Sequence, residues 1–300
     1  MLFVSPESRK IPVQVEGRAL ALSNLDKVLY PEAGFTKAQV LDYYQRIASV
    51  LLPHIASRPV TVKRYPDGVD GQFFFQKNAP AGRPGWVPTA RIASPGSTKS
   101  RETIEYVIGG DLPTLIWAAN LAALELHTPM WRHPSVGQPD LLVFDLDPGP
   151  PATVVECCEV ALLLRPLLDG LGLRPVAKTS GGKGLQLYAA VSGMSSQQTS
   201  ELAKDLAERL EREHPDQVVS RMTKALRPGK VLIDWSQNNS AKTTVAPYSL
   251  RARPQPTVST PVSWDELAAC RRAGDLVFTA DDVLDRVLEA GDLFAAALAS

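Results

Sequence analysis

Residues 141–150 read LLVFDLDPGP. Four apolar residues lead into Asp145 and Asp147, which flank Leu146, and Pro-Gly-Pro ends the run. A short apolar stretch stopped by a turn signal reads as a buried strand. On a strand, residues i and i+2 share a face and lie roughly 6.5–7 Å apart along the chain. Two carboxylates on one face repel, which costs free energy unless positive charge lies between them. At a strand end such a pair suits a divalent cation with oxygen ligands. It suits two solvated aspartates capping a turn equally well.

Strands and helices alternate on both sides of this stretch. In FTKAQVLDYYQRIASVLLPHI (35–55), Val40, Leu41, Tyr44, Ile47 and Leu51 fall at helical spacing, and Thr36 is placed to cap the helix. PVTVKRYPDG (59–68) is expected to form a strand closing in a Pro-Asp-Gly turn, with further strands at GQFFFQKNA (71–79) and TIEYVIGG (103–110). LPTLIWAANLAALELHTP (112–129) reads as one apolar helix running into His127. After the Asp145 strand come a helix over 153–168, a strand–glycine turn–strand over 175–191, and a solvated amphipathic helix over 197–213. KVLIDWSQ (230–237) is a late strand, and 281–298 a terminal helix. Residues 1–22 read as an extended lead-in and 79–100 as a Pro/Gly/Ser-rich surface loop. No internal repeat or polar linker divides the chain, so residues 1–300 are expected to form one α/β domain.

Bulk properties exclude several classes. The 32 Lys and Arg balance 32 Asp and Glu across 300 residues, so any polyanion site must come from local clustering. Three cysteines, two of them adjacent, make neither a disulfide framework nor a zinc site. No apolar run reaches the roughly 18 residues that span a bilayer, and the first residues do not read as a secretory signal. The expected protein is soluble, cytoplasmic and membrane-free.

A third carboxylate has the same setting as Asp145, since Asp234 ends the apolar run of KVLID (230–234). Between the two lies KTSGGKGLQLY (178–188), whose Gly-Gly turn lets backbone N–H groups approach an anion, with Ser180 and Lys183 adding a hydroxyl and a cation. Three carboxylates around two metal ions are the parts of nucleotidyl transfer. A phosphatase of the haloacid-dehalogenase type would follow VFDLD with Gly-Thr, and Pro148 and Gly149 stand there instead.

The segments ELHTP, LVFDLDPG, KTSGGKGLQLY, TKALRPGKVLIDWSQNN and KTTVAPYSLR together resemble the polymerase domain of bacterial end-joining DNA ligases (the LigD type), of the archaeo-eukaryotic primase superfamily. The likeness runs in matching order from SNLDKVLYP to the terminal helix. It implies a primase-polymerase core of mixed and antiparallel sheets flanked by helices. It also implies metal-dependent, template-directed nucleotide addition at short gaps or break ends, with two divalent ions (Mn²⁺ or Mg²⁺) and a leaning towards ribonucleotides. Asp145, Asp147 and Asp234 match the catalytic metal-binding carboxylates. Ser180, Lys183 and Arg251 match triphosphate contacts, and His127 and Gln237 lie at the incoming nucleotide. Lys63 and Arg64, with Phe73 and Phe75, match a nucleotide- and template-facing region. Lys27 and Lys37 match the pair that grips a 5′-phosphate across the gap, and Lys224 and Arg227 a mobile loop near the metals. The implied partners are gapped or broken DNA carrying a 5′-phosphate, NTP or dNTP, a separate ligase and an end-binding protein. The implied form is a monomer working at the nucleoid. The superfamily motif usually ends in histidine where this chain has Gln186. A neutral amide hydrogen-bonds but carries no charge, so nucleotide preference or rate is expected to change. The competing reading is a non-catalytic module that binds 5′-phosphorylated DNA ends. That module keeps the phosphate-gripping Lys27 and Lys37. Taken singly, His127 also reads as a capping or core histidine, Lys27 and Lys37 as solvated lysines, and one face of the Phe73–Phe75 strand as core.

Overall fold

The computed structural model describes residues 10–93 and 102–298. Two hairpins open the described residues, β1 (Ile11–Val15) with β2 (Arg18–Leu22) and β3 (Val28–Tyr30) with β4 (Phe35–Thr36). Helix α1 (Lys37–Ile55) begins at Thr36, whose side chain accepts from the Gln39 N–H while the Gln39 side chain caps the Thr36 N–H in return. There follow β5 (Pro59–Arg64), β6 (Phe74–Gln76), β7 (Thr89–Ala93), β8 (Thr103–Ile108), α2 (Leu112–Asn120) and β9 (Ala123–Thr128). The next group is β10 (Leu141–Pro148), α3 (Val154–Asp169), β11 (Val176–Thr179), β12 (Leu185–Ala190), α4 (Ser196–Glu213), β13 (Val218–Val219) and β14 (Val231–Asp234). The chain closes with β15 (Thr244–Val245), β16 (Pro261–Val262), α5 (Trp264–Ala269) and α6 (Ala280–Ala290).

One sheet has the order β13-β14-β10-β12-β11-β16, antiparallel except for β13–β14; the other runs β15-β9-β5-β8-β7, with β6 added to β5. Strand alternation decides what each face carries. Leu142, Phe144 and Leu146 of β10, Leu185 and Leu187 of β12, and Val231 and Ile233 of β14 pack in a core with residues of α3, α4 and α5. Leu141, Val143 and Tyr188 belong to the second core, which α1, α2 and β9 share. Asp145, Asp147, Gln186 and Asp234 continue that inner face where the two sheets part. Full burial of a Leu or Phe contributes roughly 1.5–3 kcal/mol over exposure. A one-residue slip of β10 would expose Phe144 and Leu146 and bury the aspartates, so the apolar pattern fixes the register of the carboxylates.

Four expectations are corrected. Described residues of the 1–22 segment form the β1–β2 hairpin, turned by Glu16 and Gly17 at φ 46 and 77. The 79–100 segment contains β7, paired along its length with β8, and its residues 94–100 lie outside the described residues. The 112–129 segment is not one helix: α2 stops at Asn120, Ala122 takes φ 58, and its N–H closes onto the Ala119 carbonyl at 2.8 Å. Leu124 and Leu126 then alternate with Glu125 and His127 on β9, a change of period hidden in a continuous apolar run. The terminal helix ends at Ala290 before Gly291 (φ 67), and Ala295–Leu298 form a separate 3₁₀ turn.

Candidate active site

Antiparallel register sets Asp145 opposite Asp234 on one side and Gln186 on the other, with Gln186 opposite Lys178. Opposed residues share a face with Cβ atoms roughly 4.5–5.5 Å apart. Asp234, Asp145, Gln186 and Lys178 therefore form one row across four strands, and Asp147 sits two residues beyond Asp145. Asp234 is buried, and its oxygens accept from Ser236 N–H (2.9 Å) and Gln237 Nε2 (2.9 Å). Asp145 Oδ1 accepts from Gln186 Nε2 at 3.0 Å. Burial, and next the Asp147 charge, hold the Asp145 carboxyl well above the usual range, although the Gln186 bond opposes them. Asp147 is raised by burial and by Asp234, with Arg227 pulling the other way. This is acidic charge short of positive partners.

Among the described residues, no three carboxylate, imidazole or thiolate groups close tightly enough to enclose an ion unaided. The fit to divalent cations lies in the donor chemistry. Asp145 and Asp147 line an open cleft and Asp234 stands beside Asp145 in the row, hard oxygen donors that suit a cation completing its shell with substrate phosphates and water.

Beside the carboxylates lies the glycine-rich β11–β12 turn, whose make-up suits an anion. Ser180 Oγ accepts from the N–H groups of Gly182 (3.3 Å) and Gly184 (3.1 Å). A Cβ on Gly184 would stand 2.3 Å from the Leu146 carbonyl, and one on Gly181, at φ 64, 2.5 Å from Arg251 Cγ. The glycines let the turn press against both neighbours. Arg251, on the segment between β15 and β16, donates through Nη1 to the Ser180 carbonyl. The resulting cleft, about 360 Å³, is lined by Asp145, Asp147, His127, Gln237, Ser180, Lys183 and Gly184, with Arg251 and Arg253.

The second sheet supplies the opposite wall. His127 Nε2 lies 2.9 Å from Glu125 Oε2, and the Phe75 ring 6.1 Å from the His127 ring. Phe73 is 5.9 Å from Phe75 and stacks on Tyr65 at 5.5 Å, while Lys63 Nζ lies 4.1 Å over Phe73. Phe73, Phe74 and Phe75 are 48, 54 and 61 % exposed. The expectation of one core face is thus overturned, because β6 is a three-residue strand whose partner is β5. Alternation separates Lys63 from Arg64, which donates to the Leu121 carbonyl and Gln76 Oε1 and lines a different pocket. Lys27 is paired with Asp67 at 2.8 Å, and Lys37, buried, donates to the Ser23 carbonyl at 2.6 Å. Lys224 opens a 3₁₀ turn that ends at Leu226, and the Arg227 carbonyl packs against Gly149 behind Asp147.

Sequence reasoning missed Glu125, Lys178 and Arg253. The alternation in Leu-Glu-Leu-His held the signal for Glu125. Nothing local marked Lys178, which is fully buried yet reaches Gln186 Oε1 and Ser259 Oγ.

Strand-end carboxylates facing a glycine-and-cation cradle across an open cleft define the site of a nucleotidyltransferase. The sequence model of the LigD primase-polymerase domain matches residues 36–294. The multifunctional non-homologous end joining protein LigD of Mycolicibacterium smegmatis is 47 % identical over 277 residues, covering 91 % of this chain and 35 % of that protein. The bifunctional LigD of Bacillus subtilis is 31 % identical over 274 residues, again 91 % of this chain and 43 % of the relative. The solved polymerase domain of Mycobacterium tuberculosis ligase D in complex with DNA superposes with TM-score 0.87 at 44 % identity, covering 94 % of this chain and 98 % of that one. The chain belongs to the LigD primase-polymerase domain family, whose members are nucleotidyltransferases. It spans about a third of the length of the mycobacterial relatives.

Proposed function

We propose that the protein extends a DNA primer, templated, across short gaps or break ends whose far side carries a 5′-phosphate. The observation that carries this reading is the pairing of Asp145 with Asp234 on adjacent strands, where Asp145 and Asp147 share one cleft with Ser180, Lys183 and Gly184. Asp145, Asp147 and Asp234 would hold two divalent ions, Mn²⁺ or Mg²⁺, which when bound offset triphosphate charge and make the primer hydroxyl a better nucleophile. Ser180, Lys183 and Arg251 bind the triphosphate and orient its α-phosphorus towards the carboxylates. His127 and Gln237 hold the incoming nucleotide, and Gln186 fixes Asp145. The exposed Phe73 and Phe75 rings, with Lys63 beside them, offer a stacking surface for template bases. Lys27 and Lys37 take the 5′-phosphate. Ribonucleotides are the favoured substrate, the working unit is a one-domain monomer at the nucleoid, and a separate ligase and end-binding protein complete the repair.

The test is extension on a short gap with a downstream 5′-phosphate, using ribo- and deoxynucleotides with Mn²⁺, for the native chain and Asp145→Ala. Extension by the native protein that the variant loses is the expected result. Tight phosphate-dependent binding without extension by the native chain would instead make it an end-binding module.

A further inference from the structure

We infer that Glu125 is a positioning residue of the nucleotide site, one carboxylate that sets both the His127 imidazole and the Arg251 guanidinium. The inference rests on the nucleotide-cleft reading above. Glu125 is 2 % exposed, and a buried carboxylate is costly unless its oxygens are bonded. Its bonds run to the cleft wall. Oε2 meets His127 Nε2 at 2.9 Å, while Oε1 accepts the Ala252 N–H at 3.0 Å and faces Arg251 Nε at 3.4 Å. Burial raises the Glu125 pKa, but the His127 hydrogen bond, the Arg251 charge and the Ala252 N–H together outweigh burial and bring the pKa down to about 2.

Each partner is constrained from a second direction. The Arg251 N–H donates to the Thr257 carbonyl, Tyr30 Oη donates to the Arg251 carbonyl at 3.1 Å, and Nη1 reaches Ser180. Arg251 Nε is buried without a hydrogen bond, so Glu125 acts on it by charge. The guanidinium is thereby strung between β9 and the phosphate cradle. For His127, a neutral imidazole whose Nε2–H donates a hydrogen bond to the carboxylate keeps Nδ1 as an acceptor, which fixes the tautomer as well as the ring plane. Leu124 and Leu126, fully packed on the other face of β9, hold the strand that carries Glu125 and His127.

The experiment compares native protein, Glu125→Gln and Glu125→Ala, each alone and in a His127→Ala background. It reads binding of a fluorescent nucleoside triphosphate, KM and kcat for extension, gapped-DNA affinity and thermal midpoint. Glutamine keeps the shape and an acceptor for the Ala252 N–H, so the fold survives. The expected result is a roughly tenfold rise in nucleotide Kd and KM, with DNA affinity unchanged, shrinking to roughly threefold or less once His127 is gone, because residues acting as one unit are non-additive. Unchanged nucleotide binding in Glu125→Gln would overturn the inference. So would an equal effect with and without His127, or a loss confined to thermal stability. Native protein that binds no nucleotide would overturn the cleft reading itself, which the native control reveals separately.

Discussion

Lys37 is a cation held in an unfavourable place. It is 5 % exposed, and burial first, then Lys27 and Arg64, bring its pKa down to about 8. An exposed lysine stays charged to about pH 10. Below its pKa Lys37 is an ammonium beside Lys27; above it the amine is neutral. If this pair takes the 5′-phosphate, the binding advantage of a 5′-phosphorylated gap over a 5′-hydroxyl gap declines between about pH 7 and pH 9, and Lys37→Arg flattens the decline because guanidinium stays charged. Titrating DNA affinity over that range checks this, and a pH-independent advantage in the native chain would place the phosphate elsewhere. Gln186 is the other telling residue. Its Oε1 accepts from Lys178 Nζ and from Tyr188 Oη, so its Nε2 is committed to Asp145. Gln186→Leu removes that bond, and loss of such a supporting partner typically lowers metal affinity or activity by roughly 10–100-fold. Steady-state kinetics over a Mn²⁺ titration separate the two effects; unchanged values would make the amide a spectator.

The end of β10 shows how one strand terminus serves several requirements. Gly149 donates its N–H to the Lys230 carbonyl at 2.8 Å and accepts from Gly229, and a Cβ on it would stand 2.0 Å from the Arg227 carbonyl. Gly149→Ala therefore pushes the Lys224–Arg227 turn away from Asp147, with a lower thermal midpoint and slower extension as the expected outcome. The carboxylates themselves strain the metal-free protein. Asp147 has a folded pKa raised above its unfolded value, so the native state binds its proton more tightly and loses stability as pH rises through that value. Asp147→Asn should raise the metal-free melting temperature at about pH 8, have little effect at about pH 4, and abolish extension. Calorimetry at the two pH values decides; a lower midpoint at pH 8 would mean the repulsion is not felt. This strand was legible in the sequence because apolar residues, carboxylates and Pro-Gly-Pro succeed one another in a single short segment. Strand β9 was not, because Leu121 to Ala123 extend the apolar run across the point where the chain reverses. The same local reading gave Phe73–Phe75 a core face that a short edge strand does not provide.

At the scale of the whole molecule, the site exists because two sheets meet. One carries the aspartates and the cradle, the other carries His127 and the aromatic wall, and Arg251 reaches between them. Motif order could be read along the chain, but the register that sets Asp145 against Asp234 depends on long-range pairing that no local pattern states. The join is braced away from the cleft by Asp140, just before β10. Arg58, 1 % exposed, donates to Asp140 through both terminal nitrogens at 2.7 Å, and Arg132 Nε adds a third bond at 2.7 Å. Arg58 also donates to the His54 carbonyl at the end of α1, so the cluster ties the first helix to the strand that bears the metal ligands. Asp140→Asn leaves the buried Arg58 charge uncompensated, at a cost of about 3–5 kcal/mol. No cleft side chain is touched. The expected outcome is a thermal midpoint lowered by several degrees, with kcat at low temperature within about twofold of native, since stability is lost without displacing a group that meets substrate. If kcat falls tenfold while the protein is still folded, this clamp sets the spacing of the two sheets across the cleft, and catalysis depends on the join as well as on the residues that line it.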